Sequence, residues 1–281
     1  METDLGLKPA GHDWVRHATP GPGIERIEAF FRADAYAMHR HDTYAIGRTM
    51  TGVQSFHYRG ALRHSLAGRT IVLHPDEPHD GHAGTADGFR YRMVYVEPAR
   101  LQDALGGTAL PFIRDGVSTD PRLFAATQAL MDSLVVPLDP LEEDDALFDL
   151  AAAMQAVSGA AATRPRGDIR AAQAARAFIH DELGRPITLA ELAHATGRDR
   201  WALSRDFRAF FGTSPYRYLV LRRLELARRA MLRGATLADC AALAGFADQS
   251  HMTRQFVKAY GVTPARWLAM AKTDGGAPGG A

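Results

Sequence analysis

Apolar and polar positions change their period part-way along the chain. From about Phe30 to Val96, short β-favouring runs (Tyr44–Met50, Val53–Tyr58, Thr70–His74 and Phe89–Val96) are separated by turns near Gly52, Gly60, Gly68 and Gly88. Short strands at this spacing predict an all-β sandwich or barrel. Beyond Glu97 the period becomes helical, with Pro98 suited to a first turn and Gly106-Gly107 to a stop. Two Leu/Ala/Met-rich amphipathic stretches, 120–136 and 141–157, are split by Pro137 and Pro140 and predict an antiparallel helical hairpin. Such a hairpin either caps the barrel or presents an apolar stripe to a second copy of the chain. Residues 159–167 lack periodicity and contain Pro and Gly, as a linker does, and the Gly-rich tail 273–281 reads as disordered.

An internal repeat dominates the C-terminal part. Thr188–Gly197 (TLAELAHATG) is echoed by Thr236–Gly245 (TLADCAALAG), and Leu203, Arg205, Phe207, Gly212 and Pro215 recur as Met252, Arg254, Phe256, Gly261 and Pro264. Each copy has a Thr N-cap with an acid three residues later, an Ala-rich helix, a Gly turn and a second helix closed by Gly, which predicts a helix-turn-helix. Ala193 and Ala241 permit close helix approach, while Leu203/Phe207 and Met252/Phe256 are the expected core. The free face of the second helix offers Arg200, Trp201, Ser204, Arg205 and Arg208 in the first unit, and Gln249, Ser250, His251, Thr253 and Arg254 in the second. These residue types read base edges or hold phosphates in a major groove. Between the units, Ser214, Pro215 and Gly234 bracket a helix of about 18 residues, roughly 27 Å long, stiff enough to set two recognition helices about one DNA turn apart.

Charge sharpens this division. The 281 residues carry a formal net charge of +1, but residues 164–281 hold 19 Lys+Arg against 10 Asp+Glu (+9) and residues 1–163 hold 14 against 22 (−8). A basic domain joined to an acidic one points to a polyanionic partner for the C-terminal part alone. Cys240 is the single cysteine, so no intramolecular disulfide forms, and with no long apolar run the expectation is a soluble, non-exported cytoplasmic protein without membrane contact. Gly-rich phosphate loops, nucleophile elbows and zinc-finger spacings are absent.

Residues from about Ile169 to Trp267 resemble the DNA-binding domain of AraC/XylS-family transcription regulators, through both units, the Gly245–Ser250 run (GFADQS), the Phe256…Tyr260-Gly261…Pro264 ending and the connecting helix. The resemblance implies base contacts through Trp201 and Arg205 in the first unit and through Gln249, His251, Thr253 and Arg254 in the second. Asp199 and Asp206 put acids on or near the first recognition helix, a departure that leaves their fit beside phosphates open.

Seven histidines crowd the segment His39–His82. His39 and His41 fall on one side of a strand, and His79 can complete a three-nitrogen metal site. The segment also resembles the cupin-type sensor barrel of the same family, through His39–Tyr44 (HRHDTY), Tyr58–Gly60 (YRG), Gly68 and Pro75…Pro78-His79. Metal-dependent cupin enzymes supply a Glu shortly after the His-x-His, and none stands in Asp42–Arg48, which weighs against an enzyme. The expected assignment is an effector pocket drawing on His39, His41, Tyr44, Arg59, His79 and Tyr91, with no cofactor and no catalytic residue; His39, His41 and His79 are the candidates if a metal binds.

The sequence thus predicts an α+β protein of two domains: a cupin-like β-barrel with a helical hairpin (1–158, effector sensing and dimerisation), a linker (159–167), an all-α domain of two helix-turn-helix units joined by a long helix (168–272), and a tail (273–281). The expected function is sequence-specific transcription regulation under a small-molecule effector. Double-stranded DNA, a second copy of the chain and RNA polymerase are the expected partners. The alternatives are a metal-dependent cupin enzyme fused to a DNA-binding module, and a DNA-binding protein with a purely structural barrel.

Overall fold

The computed structural model describes residues 12–18, 21, 23–132, 134, 138–159 and 167–272. Most of the expected linker, 160–166, and the whole tail, 273–281, lie outside the described residues. The chain opens with β1 (Trp14–His17), β2 (Ile24–Phe31), β3 (Asp34–His39), β4 (Tyr44–Gly52), β5 (Gln54–Tyr58), β6 (Ala61–Ser65), β7 (Thr70–Leu73), β8 (His79–Ala83) and β9 (Phe89–Val96). Then come α1 (Pro98–Ala104), the short β10 (Val117–Ser118), α2 (Pro121–Ala126), α3 (Gln128–Asp132) and α4 (Pro140–Ser158).

Antiparallel pairing builds a six-stranded sheet, β1-β2-β9-β4-β7-β10, and a four-stranded sheet, β3-β8-β5-β6. Side-chain alternation along β4 and β9 separates two cores. Ala45, Phe89, Tyr91 and Met93 face inward to meet Phe31, Phe56 and Tyr58. Tyr44, Ile46, Val94 and Val96 face outward and are covered by Leu101, Leu123, Leu147 and Met154 of the helices. The strands begin earlier than the pattern suggested: β1 and most of β2 precede Phe30, where Glu25, Arg26 and Glu28 interrupt the apolar run.

The hairpin forms with one difference. Its first helix is broken at Thr127 into α2 and α3. Arg48, buried on β4, donates from Nε to Thr127 Oγ1 (2.9 Å) and from Nη1 to Gln128 Oε1 (2.6 Å), binds the Phe124 carbonyl and lies over the Phe124 ring. A buried guanidinium needs acceptors, and the break in the helix supplies them.

The C-terminal domain runs α5 (Ile169–Asp181), α6 (Leu189–Thr196), α7 (Arg200–Phe211), α8 (Pro215–Leu232), α9 (Leu237–Leu243), α10 (Gln249–Tyr260) and α11 (Pro264–Lys272). Thr188 and Glu191 form a reciprocal capping box on α6. Thr236 caps α9 by accepting from the Asp239 amide. Ser214 and Pro215 start the 18-residue α8 as expected, and Gly197 and Gly245 take the left-handed turn conformation. Leu203 and Phe207 are fully buried with Ile179 and Tyr218, while Met252 and Phe256 are fully buried with Cys240, Leu224 and Trp267. Among the described residues no helix is long and apolar enough to cross a membrane.

Candidate functional site

Each recognition helix is anchored by its buried side and capped by an aspartate. Asp199 accepts from the amides of Trp201 and Ala202, and Asp248 from that of His251, so both acids satisfy the free N–H groups of a helix start. Asp206 turns inward to Arg198 (2.8 Å) and is buried, so it does not face a phosphate. On α7, Arg200, Trp201, Arg205 and Arg208 are exposed, and half-buried Ser204 accepts a bond from Arg208 through its carbonyl. On α10, Gln249, Ser250 and Arg254 are exposed, while His251 and Thr253 are half-buried, the His251 ring meeting Phe246 edge-on at 5.4 Å. Trp201 is 59% exposed, an unusual position for the largest apolar side chain.

The second site lies where the two domains meet. A cavity of about 500 Å³ opens between β1–β3 and helices α8, α10 and α11. Its polar wall is an ion-pair network: Arg222 of α8 bonds Asp42 (3.1 Å) and Glu97, and Arg228 bonds Glu25 (2.9 Å) while lying over the Trp267 ring at 4.7 Å. Burial alone would raise the Glu25 carboxyl, but Arg228 and His17 hold it well below the usual carboxylate range. Around the network, Arg217 pairs with Asp76 (2.8 Å), and the backbone amides of Ala37 and Arg40 donate to the carbonyls of Gly261 and Lys258.

At one end of the cavity three imidazoles converge. His39 and His79 are direct partners across β3 and β8, with ring centroids 4.4 Å apart, and His41 lies 4.8 Å from His79. The candidate ligand atoms of all three fall within 4.8 Å of one another. Burial pushes His39 down to about 4 and His41 to about 3, and His79 falls well below the ordinary value for the same reason, so all three rings are neutral near pH 7.

Of the six residues expected around an effector, these three histidines are brought together, and His39 and His41 line the cavity. The other three lie elsewhere. Tyr44 is buried on the outer face of β4 and donates to the Pro111 carbonyl (2.9 Å), Tyr91 packs inside the barrel with its hydroxyl on that of Tyr36, and Arg59 is exposed and paired with Glu77. Tyr36, Tyr95, Glu25, Arg222 and Arg228 line the cavity and were not legible as site residues. The available signal was charge within otherwise apolar runs, Glu25 in β2 and Arg222 and Arg228 in α8.

Comparison with known proteins agrees with this architecture. Residues 21–157 match the AraC-like ligand binding domain, and residues 192–270 match a helix-turn-helix domain. The chain belongs to the AraC family of transcription regulators. Among relatives of this AraC-family regulator, the HTH-type transcriptional regulator YbfI of Bacillus subtilis is 23% identical over 223 residues, 76% of this chain and 80% of that one. An AraC-like transcription regulator of Streptomyces lividans is 34% identical over 87 residues, 31% of this chain and 29% of that one. In fold it is similar to ToxT of Vibrio cholerae: the apo structure of a point variant has TM-score 0.64 at 12% identity over 91% of this chain and 99% of that one. The unsaturated-fatty-acid-bound ToxT structure has TM-score 0.62 at 12% identity over 97% and 100%. The two domains together make this AraC-family protein an effector-controlled, DNA-binding transcription regulator.

Proposed function

We propose that this regulator reads duplex DNA through Arg200, Trp201, Ser204, Arg205 and Arg208 of α7 and through Gln249, Ser250, His251, Thr253 and Arg254 of α10, under control of an effector held in the cavity between the domains. The observation that carries the reading is the pair of Asp-capped helices, each buried on one side and rich in exposed donors on the other. Effector control draws support from the cavity itself, whose wall is shared by the barrel and by α8, α10 and α11, so an occupant touches both domains. Residues 1–158 form the sensing unit and 168–272 the DNA-binding unit. The proposed action is binding, and Cys240, the single cysteine, is buried with its thiol directed at the Ala235 carbonyl.

The working form is a homodimer in the cytoplasm, with RNA polymerase as the further partner. Leu141 and Phe148, seven residues apart and exposed on α4, favour α4 as the pairing surface. Selection from random duplexes at fixed salt supplies the cognate site for the test. Arg205→Ala or Arg254→Ala should each cost about 1–3 kcal/mol at that site and relax the preference at one base position, whereas loss of a phosphate contact weakens all sequences alike. Unchanged affinity and an unchanged profile in both variants would overturn the assignment of the reading face.

A further inference from the structure

We propose that His39, His41 and His79 bind a divalent transition-metal ion of the Zn2+ type, and that this ion is the effector, or the part of it, that the barrel reads. The inference rests on the effector reading above and names the chemistry of the ligand.

Four observations converge. First, each Nδ1 lies on a backbone carbonyl two residues away: His39 on Ala37 (2.8 Å), His41 on Thr43 (2.9 Å) and His79 on Glu77 (2.9 Å). A carbonyl only accepts, so Nδ1 carries the proton in each ring and Nε2 keeps its lone pair; this second hydrogen bond is what orients metal-binding imidazoles. Second, His41 Nε2 is buried without a hydrogen-bond partner. A lone pair taken out of water and left unused is costly, and coordination of an ion recovers that cost. Third, with ligand atoms no more than 4.8 Å apart, small ring rotations bring the nitrogens around one ion at bonds of about 2.0–2.1 Å. Imidazole nitrogen suits Zn, Cu, Fe and Ni, and three imidazoles are a ligand set that such ions take.

Fourth, the charges favour a cation. The cavity wall bears four carboxylates against three guanidinium groups. Each of those guanidinium groups is already engaged: Arg222 with Asp42 and Glu97, Arg228 with Glu25, and Arg229 with Glu225. An anionic ligand at Arg222 or Arg228 would have to break a buried pair, only the Arg229–Glu225 pair being exposed, whereas a divalent ion held by neutral imidazoles breaks none of them; the cation acting on the histidines, Arg217, is itself paired with Asp76.

The site also has a mechanical route to DNA. His39 ends β3, and β3 is the strand whose Ala37 amide bonds the Gly261 carbonyl at the end of α10. His39 Nδ1 lies 3.1 Å from where a Cβ on Gly261 would stand. An ion that draws in the His39 ring therefore acts on the residue that closes the second recognition helix.

The test uses the full-length chain stripped with chelator, titrated with Co2+ as a visible-absorption probe and then with Zn2+ in competition, alongside DNA binding with and without Zn2+. The expected result is one ion per chain, displaced by Zn2+. His41→Ala, His79→Ala and the milder His39→Asn should each bind at least about 100-fold more weakly, because even partners outside the coordination sphere are worth 10–100-fold. His57→Ala, which removes an exposed histidine paired with Asp80, should bind as the parent does. Circular dichroism establishes that each variant is folded, and His39→Asn keeps the comparison open if a buried replacement unfolds the chain. Zn2+ should change affinity for the selected duplex by about 5- to 150-fold, the usual range of coupling between sites. No bound ion at stoichiometric Co2+, or equal loss in His57→Ala, overturns the metal site. Tight binding with unchanged DNA affinity overturns its role as effector. An organic ligand that alters DNA affinity in the metal-free protein would overturn the metal while leaving the effector reading standing.

Discussion

Gly212 and Gly261 both close a recognition helix in the left-handed conformation, at φ 69° and 68°, but they face different parts of the barrel. A Cβ on Gly212 would meet the side chain of Pro75 at 2.8 Å, in a loop; one on Gly261 would meet the backbone oxygen of Ala37 at 2.6 Å, in a paired strand. The cores differ in the same sense. Among the described residues, that of the first unit is a cluster of its own that takes in only Ala99 of α1 from the N-terminal domain, whereas that of the second is continuous with the inner core of the barrel. Two units built from nearly the same local signals are therefore coupled to the sensor unequally. The first touches the barrel, and the second is joined to it.

The largest effect is expected at the helix that serves both units. Arg222→Ala leaves Asp42 and Glu97 buried without their shared partner, which should cost about 3–5 kcal/mol in denaturant unfolding. A loss under about 1 kcal/mol would mean that the seam does not depend on this network, and the contrast between the units would then rest on their apolar cores alone. Next, Gly212→Ala and Gly261→Ala both incur the left-handed cost of about 1–2 kcal/mol, and only at Gly261 must a strand backbone move as well. The second variant should be the less stable by thermal unfolding, and equal losses would break the comparison. Smallest is the cap pair. Thr188→Ala should cost about 1 kcal/mol, and Thr236→Ala somewhat less, because only the Thr188 box is reciprocal and further tied to Arg185 through Glu191. Equal melting temperatures for the two would remove that difference between the units.

The sequence by itself determined whatever is written in local periods and end signals. The strands β4, β5, β7 and β9, the two helix-turn-helix units with their Thr caps and Gly turns, and α8 from Ser214 onward all follow from residues a few positions apart, where backbone sterics and side-chain caps act directly. His39 and His79 face each other across β3 and β8, as strand alternation leads one to expect, but His41 lies beyond the end of β3 and only the fold brings it to the other two. Tertiary structure alone decided the rest. Tyr44 and Tyr91 have equally plausible sequence settings, yet the sheet places one under the helices and the other inside the barrel. Asp206 turns from the exposed side of α7 to Arg198, and Arg48 breaks a helix that its own pattern would have continued. The cavity itself depends on Glu25 meeting Arg228 across 203 positions and Asp42 meeting Arg222 across 180. A buried charge must find its opposite somewhere in the folded chain, and no local period says where.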